Sequence, residues 1–124
     1  MRVIVTGSRD WDKPGTVWLA LQAAYWEAWR HGERLDVARG DCPTGADVHA
    51  GLWVAAARRA GLDVAEHVYR ADWSIGPAGG PRRNKAMVAD GGDKVLAFHK
   101  DNSKGTASTI RFAHQAGIHV DIYA

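Results

Sequence analysis

Apolar positions along the chain fall into short runs separated by longer, helix-like stretches. Five runs read as strands: Arg2 to Thr6, Leu35 to Arg39, Asp63 to Val68, Asp93 to Phe98 and His119 to Ile122. Four stretches between them read as helices: about Pro14 to His31, Thr44 to Ala60, Pro81 to Ala89 and Gly105 to Ala116. Pro14 suits a first helical position, and Gly32, Gly61 and Gly117 suit helix stops. In the first helix Val17, Leu21, Ala24 and Ala28 form one apolar stripe. Trp18, Tyr25 and Trp29 form a second beside it, broadened by Trp26. Strict alternation of strand and helix predicts an α/β fold. The expected form is a single Rossmann-like three-layer domain over residues 1–124, with a five-stranded parallel sheet and helices on both faces.

Three of the strands end in glycine-rich turns that lead into helices. They are Gly7-Ser8-Arg9-Asp10, Gly40-Asp41-Cys42-Pro43-Thr44-Gly45, and Asn102-Ser103-Lys104-Gly105-Thr106. A parallel sheet gathers these turns at one edge, where ligands of such folds bind. Each turn offers backbone N–H groups and the positive end of a helix, which suits a phosphate. The connection from Tyr69 to Gly80 is long for so small a domain, and long loops of this kind are usually functional.

Composition narrows the class. The 124 residues are 46% apolar and 24% charged, as in a globular domain, and the formal net charge is only +2. That balance suits an anionic small molecule and argues against the broad phosphate footprint of a nucleic-acid binder. One cysteine, Cys42, permits no internal disulfide and fits a reducing compartment. No apolar run reaches membrane-spanning length and no leader pattern precedes the first strand, so a cytoplasmic location is expected.

The candidate residues each have an ordinary reading. Gly7-Ser8-Arg9 is also a plain strand-to-loop turn. Thr44-x-x-Asp47 is also a capping box, and Gly40 with Gly45 can open an anion nest beside it. Cys42 reads as a loop thiol. Arg82, Arg83 and Lys85 at the start of the third helix oppose the helix dipole, which a bound anion would offset; otherwise they form a solvated basic face. Lys104-Gly105-Thr106 is not a Walker A motif. The six histidines show no metal-ligand spacing, so no metal or cofactor is expected.

Taken together, Val5 to Trp11, Gly45-Ala46-Asp47, Gly76-Pro77 to Arg83-Asn84 with Met87, and Lys104 to Ala107 resemble the SLOG superfamily. The resemblance is to its YspA/YpsA-related branch, kin of the Lonely Guy phosphoribohydrolases and of the DprA Rossmann-like domain. It covers nearly the whole chain and implies a nucleotide-binding Rossmann-like domain. The catalytic members carry an Arg-Lys pair, a following Met and a glycine-rich loop ending in glutamate. Here Arg83 and Met87 match, Asn84 replaces the lysine, and Thr109 occupies the glutamate's place. Thr109 has no carboxylate to assist departure of a base.

The expected function is therefore binding of a nucleotide or nucleotide-derived ligand, in a sensing, carrying or sequestering role. The expected site is Gly7, Ser8, Arg9, Gly40, Thr44, Gly45, Asp47, Arg83, Asn84, Lys104, Gly105 and Thr106, with Trp11 or Trp73 stacking on a base. One alternative is a phosphoribohydrolase acting on nucleoside 5′-monophosphates, with Asp10, Asp47 or Asp72 replacing the missing glutamate. Another is a DprA-like single-strand binder. The second stripe of helix one, with Trp53 of helix two, points to a homodimer or higher homo-oligomer through those helices.

Overall fold

A computed structural model describes residues 1–100 and 102–124. The chain runs β1 (Arg2–Gly7), α1 (Pro14–Arg30), β2 (Leu35–Gly40), α2 (Gly45–Arg59), β3 (Val64–Tyr69), a 3-10 segment (Trp73–Ala78), α3 (Gly79–Ala89), β4 (Lys94–Phe98), α4 (Lys104–Gln115) and β5 (His119–Tyr123). The five strands form one sheet in the order β3-β2-β1-β4-β5, every pair parallel. The fold is the α/β, Rossmann-like arrangement that the alternation predicts.

Side chains of β1 alternate between two cores, as the two-residue period of a strand requires. Val3 and Val5 pack with Leu21 of α1 and Val54 of α2. Ile4 faces the opposite core, with Met87 of α3 and Ala113 of α4. Thus α1 and α2 cover one face and α3 and α4 the other. The stripe Val17, Leu21, Ala24 and Ala28 is wholly buried; of the second stripe Trp18 and Trp29 are exposed, with Trp26, but Tyr25 lies in the core. Trp53 departs from the expectation. It lies in the core rather than on an outer face, because it is seven residues from Ala46 and so shares the buried stripe of α2.

The long connection before α3, expected as a loop, contains a 3-10 segment. Asp72 accepts a hydrogen bond from Ser74 N–H at 3.1 Å and so starts the 3-10 segment. The α-helix that follows begins at Gly79, ahead of Pro81. Among the described residues, no helix is long and apolar enough to cross a membrane.

Candidate functional site

Sheet order places the site. The chain leaves β1 toward β2 and β3 on one side, then returns to β4 on the other. The turns after β1 and β4 therefore diverge to opposite faces and leave a crevice between them. A cavity of about 530 Å³ opens there, at the carboxyl edge of the sheet. Its size is that of a small-molecule site.

The β1 and β4 turns are locked to each other. Ser8 Oγ donates to the Lys100 carbonyl at 2.9 Å and accepts from Lys100 N–H at 2.8 Å. Lys100 Nζ reaches back over the β1 turn to Asp12, at 3.4 Å. Ser8 is buried; its hydroxyl fixes the loops, where a phosphate ligand was expected.

The start of α2 is packed against the same turn. Gly45 has φ +71°, and a Cβ there would lie 2.2 Å from the Ser8 carbonyl oxygen. Only glycine permits that approach. Ala46 N–H points at the Ser8 carbonyl, 3.4 Å away. The Gly45 side of the anion nest expected from Gly40 and Gly45 is therefore closed by backbone, while Gly40 lines the cavity. Thr44 stands next to the helix start but makes no capping bond, and both Thr44 and Gly45 lie outside the cavity lining. The expected capping box is absent because Asp47 turns inward instead.

Asp47 lies on the cavity wall with 7% of its surface exposed. Its Oδ2 accepts Cys42 N–H at 3.3 Å. Burial pushes its carboxyl above the ordinary carboxylate range, and the nearby Arg83 charge only partly opposes this. Arg83 is itself engaged: its Nη1 pairs with Asp41 at 2.9 Å and its Nε donates to Asn84 Oδ1 at 2.7 Å. The guanidinium and the Asp47 carboxylate meet over Gly40, where a Cβ would lie 2.5 Å from Arg83 Nη1 and 2.7 Å from Asp47 Oδ2. Gly40 is the notch that lets both reach the cavity. Arg82 and Lys85 remain exposed, so of the three cations only Arg83 enters.

Across the cavity, Ser103 caps α4. Its Oγ accepts Thr106 N–H at 3.4 Å and the Thr106 hydroxyl at 3.1 Å. Thr106 is buried behind this cap and does not line the cavity. Lys104 and Gly105 do, and their N–H groups belong to the helix turn that lacks internal acceptors. Asn84 ties α3 to this turn through Gly105 O at 3.3 Å. Thr109, at the place of the superfamily glutamate, is fully buried and donates to Gly105 O at 3.3 Å.

The two tryptophans separate. Trp11 is buried, packed edge-on to Phe98 at 5.6 Å, and its indole N–H donates to Lys13 O. The turn that bonds Trp11 N–H to Ser8 O folds the ring into the core, so Trp11 does not stack on a ligand. Trp73 is half exposed, lies across Gly80 and carries the Arg9 guanidinium 5.6 Å from its ring. Both Trp73 and Arg9 line the cavity.

Two charged residues of the site were not singled out in the sequence. Lys100 lines the cavity and Asp41 anchors Arg83. Their position one or two residues beyond a parallel strand is the signal that would have found them. Among the described residues, no group of three or more His, Cys, Asp or Glu gathers as a metal site.

A Rossmann-like domain with a crevice lined by charged side chains at its strand reversal is what fold and site define. No family model matches the chain. It is 41% identical over 120 residues to the Gene 61 protein of Mycobacterium phage D29, covering 96% of this chain and 93% of that protein. The chain belongs to the family of that phage protein.

Proposed function

We propose that this protein binds a nucleotide or nucleotide-derived molecule in the cavity between β1 and β4, as a SLOG-type sensor, carrier or sequestering domain. The carrying observation is the convergence of Arg9, Arg83, Lys100 and Lys104 on one cavity with the open first turn of α4. Charge-assisted bonds from such groups are the usual means of holding phosphate. Trp73 adds a half-exposed ring on which a base can stack. The net charge of +2 favours a small anion over a polynucleotide.

The test is a thermal-shift panel of nucleoside mono-, di- and cyclic phosphates, with native mass spectrometry of freshly purified protein to reveal a retained ligand. Ligand at a hundredfold excess over its Kd should stabilise the fold by about 2.7 kcal/mol. Arg83→Ala should lose most of that response. A folded protein that responds to no nucleotide defeats the proposal.

A further inference from the structure

We propose that Asp47 reads the ribose of the ligand, making the site selective for ribonucleotides over their 2′-deoxy counterparts. This rests on the nucleotide reading above and adds to it which part of the ligand each wall of the cavity takes.

Asp47 is a misfit in a purely anion-binding cavity. A cavity built to hold only an anion gains nothing from a carboxylate, which repels phosphate and is costly to bury. Asp47 is nonetheless more than nine-tenths buried on the cavity wall. Its nearest cation, Arg83, is paired with Asp41 instead. One carboxylate oxygen takes Cys42 N–H; among the described residues, no hydrogen bond reaches the other. A ligand group seated against that oxygen must donate a hydrogen bond and carry no negative charge. A sugar hydroxyl does both, and a carboxylate on a ribose 2′-hydroxyl is a recurrent solution in nucleotide-binding α/β folds.

The order of the walls fits as well. Along the carboxyl edge, the sheet order β4-β1-β2-β3 sets Lys104 after β4, the Ser8 turn after β1, Gly40 with Asp47 after β2, and Trp73 after β3. Neighbouring strands are about 4.8 Å apart. The sequence of groups along the edge is thus Lys104 and the open helix turn, then the Asp47 carboxylate with Arg83 beside it, then the Trp73 ring with the Arg9 guanidinium against it. A nucleotide presents phosphate, then sugar, then base, in the same order.

Binding of adenosine, guanosine, cytidine and uridine 5′-diphosphates should be measured by calorimetry against their 2′-deoxy and 3′-deoxy forms, on the wild type and on Asp47→Asn. The wild type should prefer at least one ribonucleotide over its 2′-deoxy form by tenfold or more. Asp47→Asn should erase most of that preference, bringing the affinities for the ribo and 2′-deoxy forms within about twofold of each other. Equal affinity for ribo and 2′-deoxy forms in the wild type overturns the assignment but leaves nucleotide binding standing. So does a selectivity that Asp47→Asn leaves intact. Binding of none of these diphosphates by the wild type, together with no response across the wider nucleotide panel, overturns both readings. If Asp47→Asn does not fold, the wild-type ratio decides alone.

Discussion

Ser8 and Lys100 hold each other by two hydrogen bonds through one hydroxyl, which donates to the Lys100 carbonyl and accepts from its N–H. The pair joins the turns after β1 and β4, the two walls between which the cavity opens. Ser8→Ala leaves both Lys100 backbone groups without that partner, and an unsatisfied buried polar group costs about 1–3 kcal/mol. Urea unfolding should show a loss of that size with an unchanged m-value. Nucleotide affinity should fall with it, because the walls lose their fixed separation. A Ser8→Ala protein with wild-type stability would show that the clip is dispensable.

Asp47 should reduce stability in the absence of ligand. Its carboxyl is raised above the ordinary range by burial, so the folded state binds that proton more tightly than the unfolded one. The resulting stabilisation is present below the unfolded value of about 3.9 and is lost as pH rises through the folded value. Asp47→Asn has no such charge to bury. It should be more stable than the wild type at neutral pH, with an advantage that shrinks as pH falls toward 4. Paired thermal melts from pH 4 to 8 measure this. Sites that give up stability for function commonly behave so.

Gly45 and Gly40 should separate folding from binding. Gly45→Ala forces a side chain into φ +71° against the Ser8 carbonyl, a combination of strain and clash that should cost several kcal/mol. Gly40→Ala meets only the ends of Arg83 and Asp47, side chains that can swing aside. It should keep its circular dichroism and most of its stability but lose nucleotide binding. If Gly40→Ala binds normally, Arg83 and Asp47 are not the floor of the ligand site.

Hydrolysis of nucleoside 5′-monophosphates should be weak or absent. Thr109 is buried, bonded to Gly105 O, and far from supplying an acid. Of the three carboxylates offered in place of the glutamate, Asp72 lies outside the cavity and is bound to Ser74. Asp10 and Asp47 line it. Chromatography for released base should show no turnover that follows the protein through purification. Turnover abolished by Asp47→Asn would instead assign that residue as the acid.

The exposed indoles of α1 should bring two copies together. Trp18, Trp26 and Trp29 are 40%, 48% and 61% exposed, and Trp26 and Trp29 pack edge to face at 5.7 Å. Aromatic groups of this kind anchor interfaces. Light scattering after size exclusion should give a multiple of 13.5 kDa. Trp29→Glu should dissociate it. Trp29 is the better probe because Trp18 Nε1 is bonded across to His49 O of α2. A 13.5 kDa species at micromolar concentration rules the assembly out.

Periodicity was enough for the sheet and its helices, since α1 buries the stripe read from Val17, Leu21, Ala24 and Ala28. It was also enough, in principle, for Trp53, whose spacing from Ala46 and Ala50 already put it in the core. What periodicity does not carry is the path of a loop. Trp11 follows a strand as Trp73 does, yet one turn bond to Ser8 folds it inward while Trp73 stays at the rim. Glycines at Gly79 and Gly80 also concealed the true start of α3. Both are poor helix formers, but Gly79 lies so close to the Asp72 carbonyl that a Cβ would sit 2.3 Å from it. The inward turn of Asp47 was hidden because a residue at its place can equally cap a helix.

The cavity draws its walls from segments scattered between Val5 and Gly105, each delivered by a separate crossover. No fragment shorter than residues 5–105 contains the whole site, and no intermediate lacking β3 or β4 can present it. A ligand therefore has only the fully assembled chain to act on. Its stabilisation belongs to global unfolding, so it should slow hydrogen exchange at the innermost amides of β1 and β4 as well as in the loops it touches.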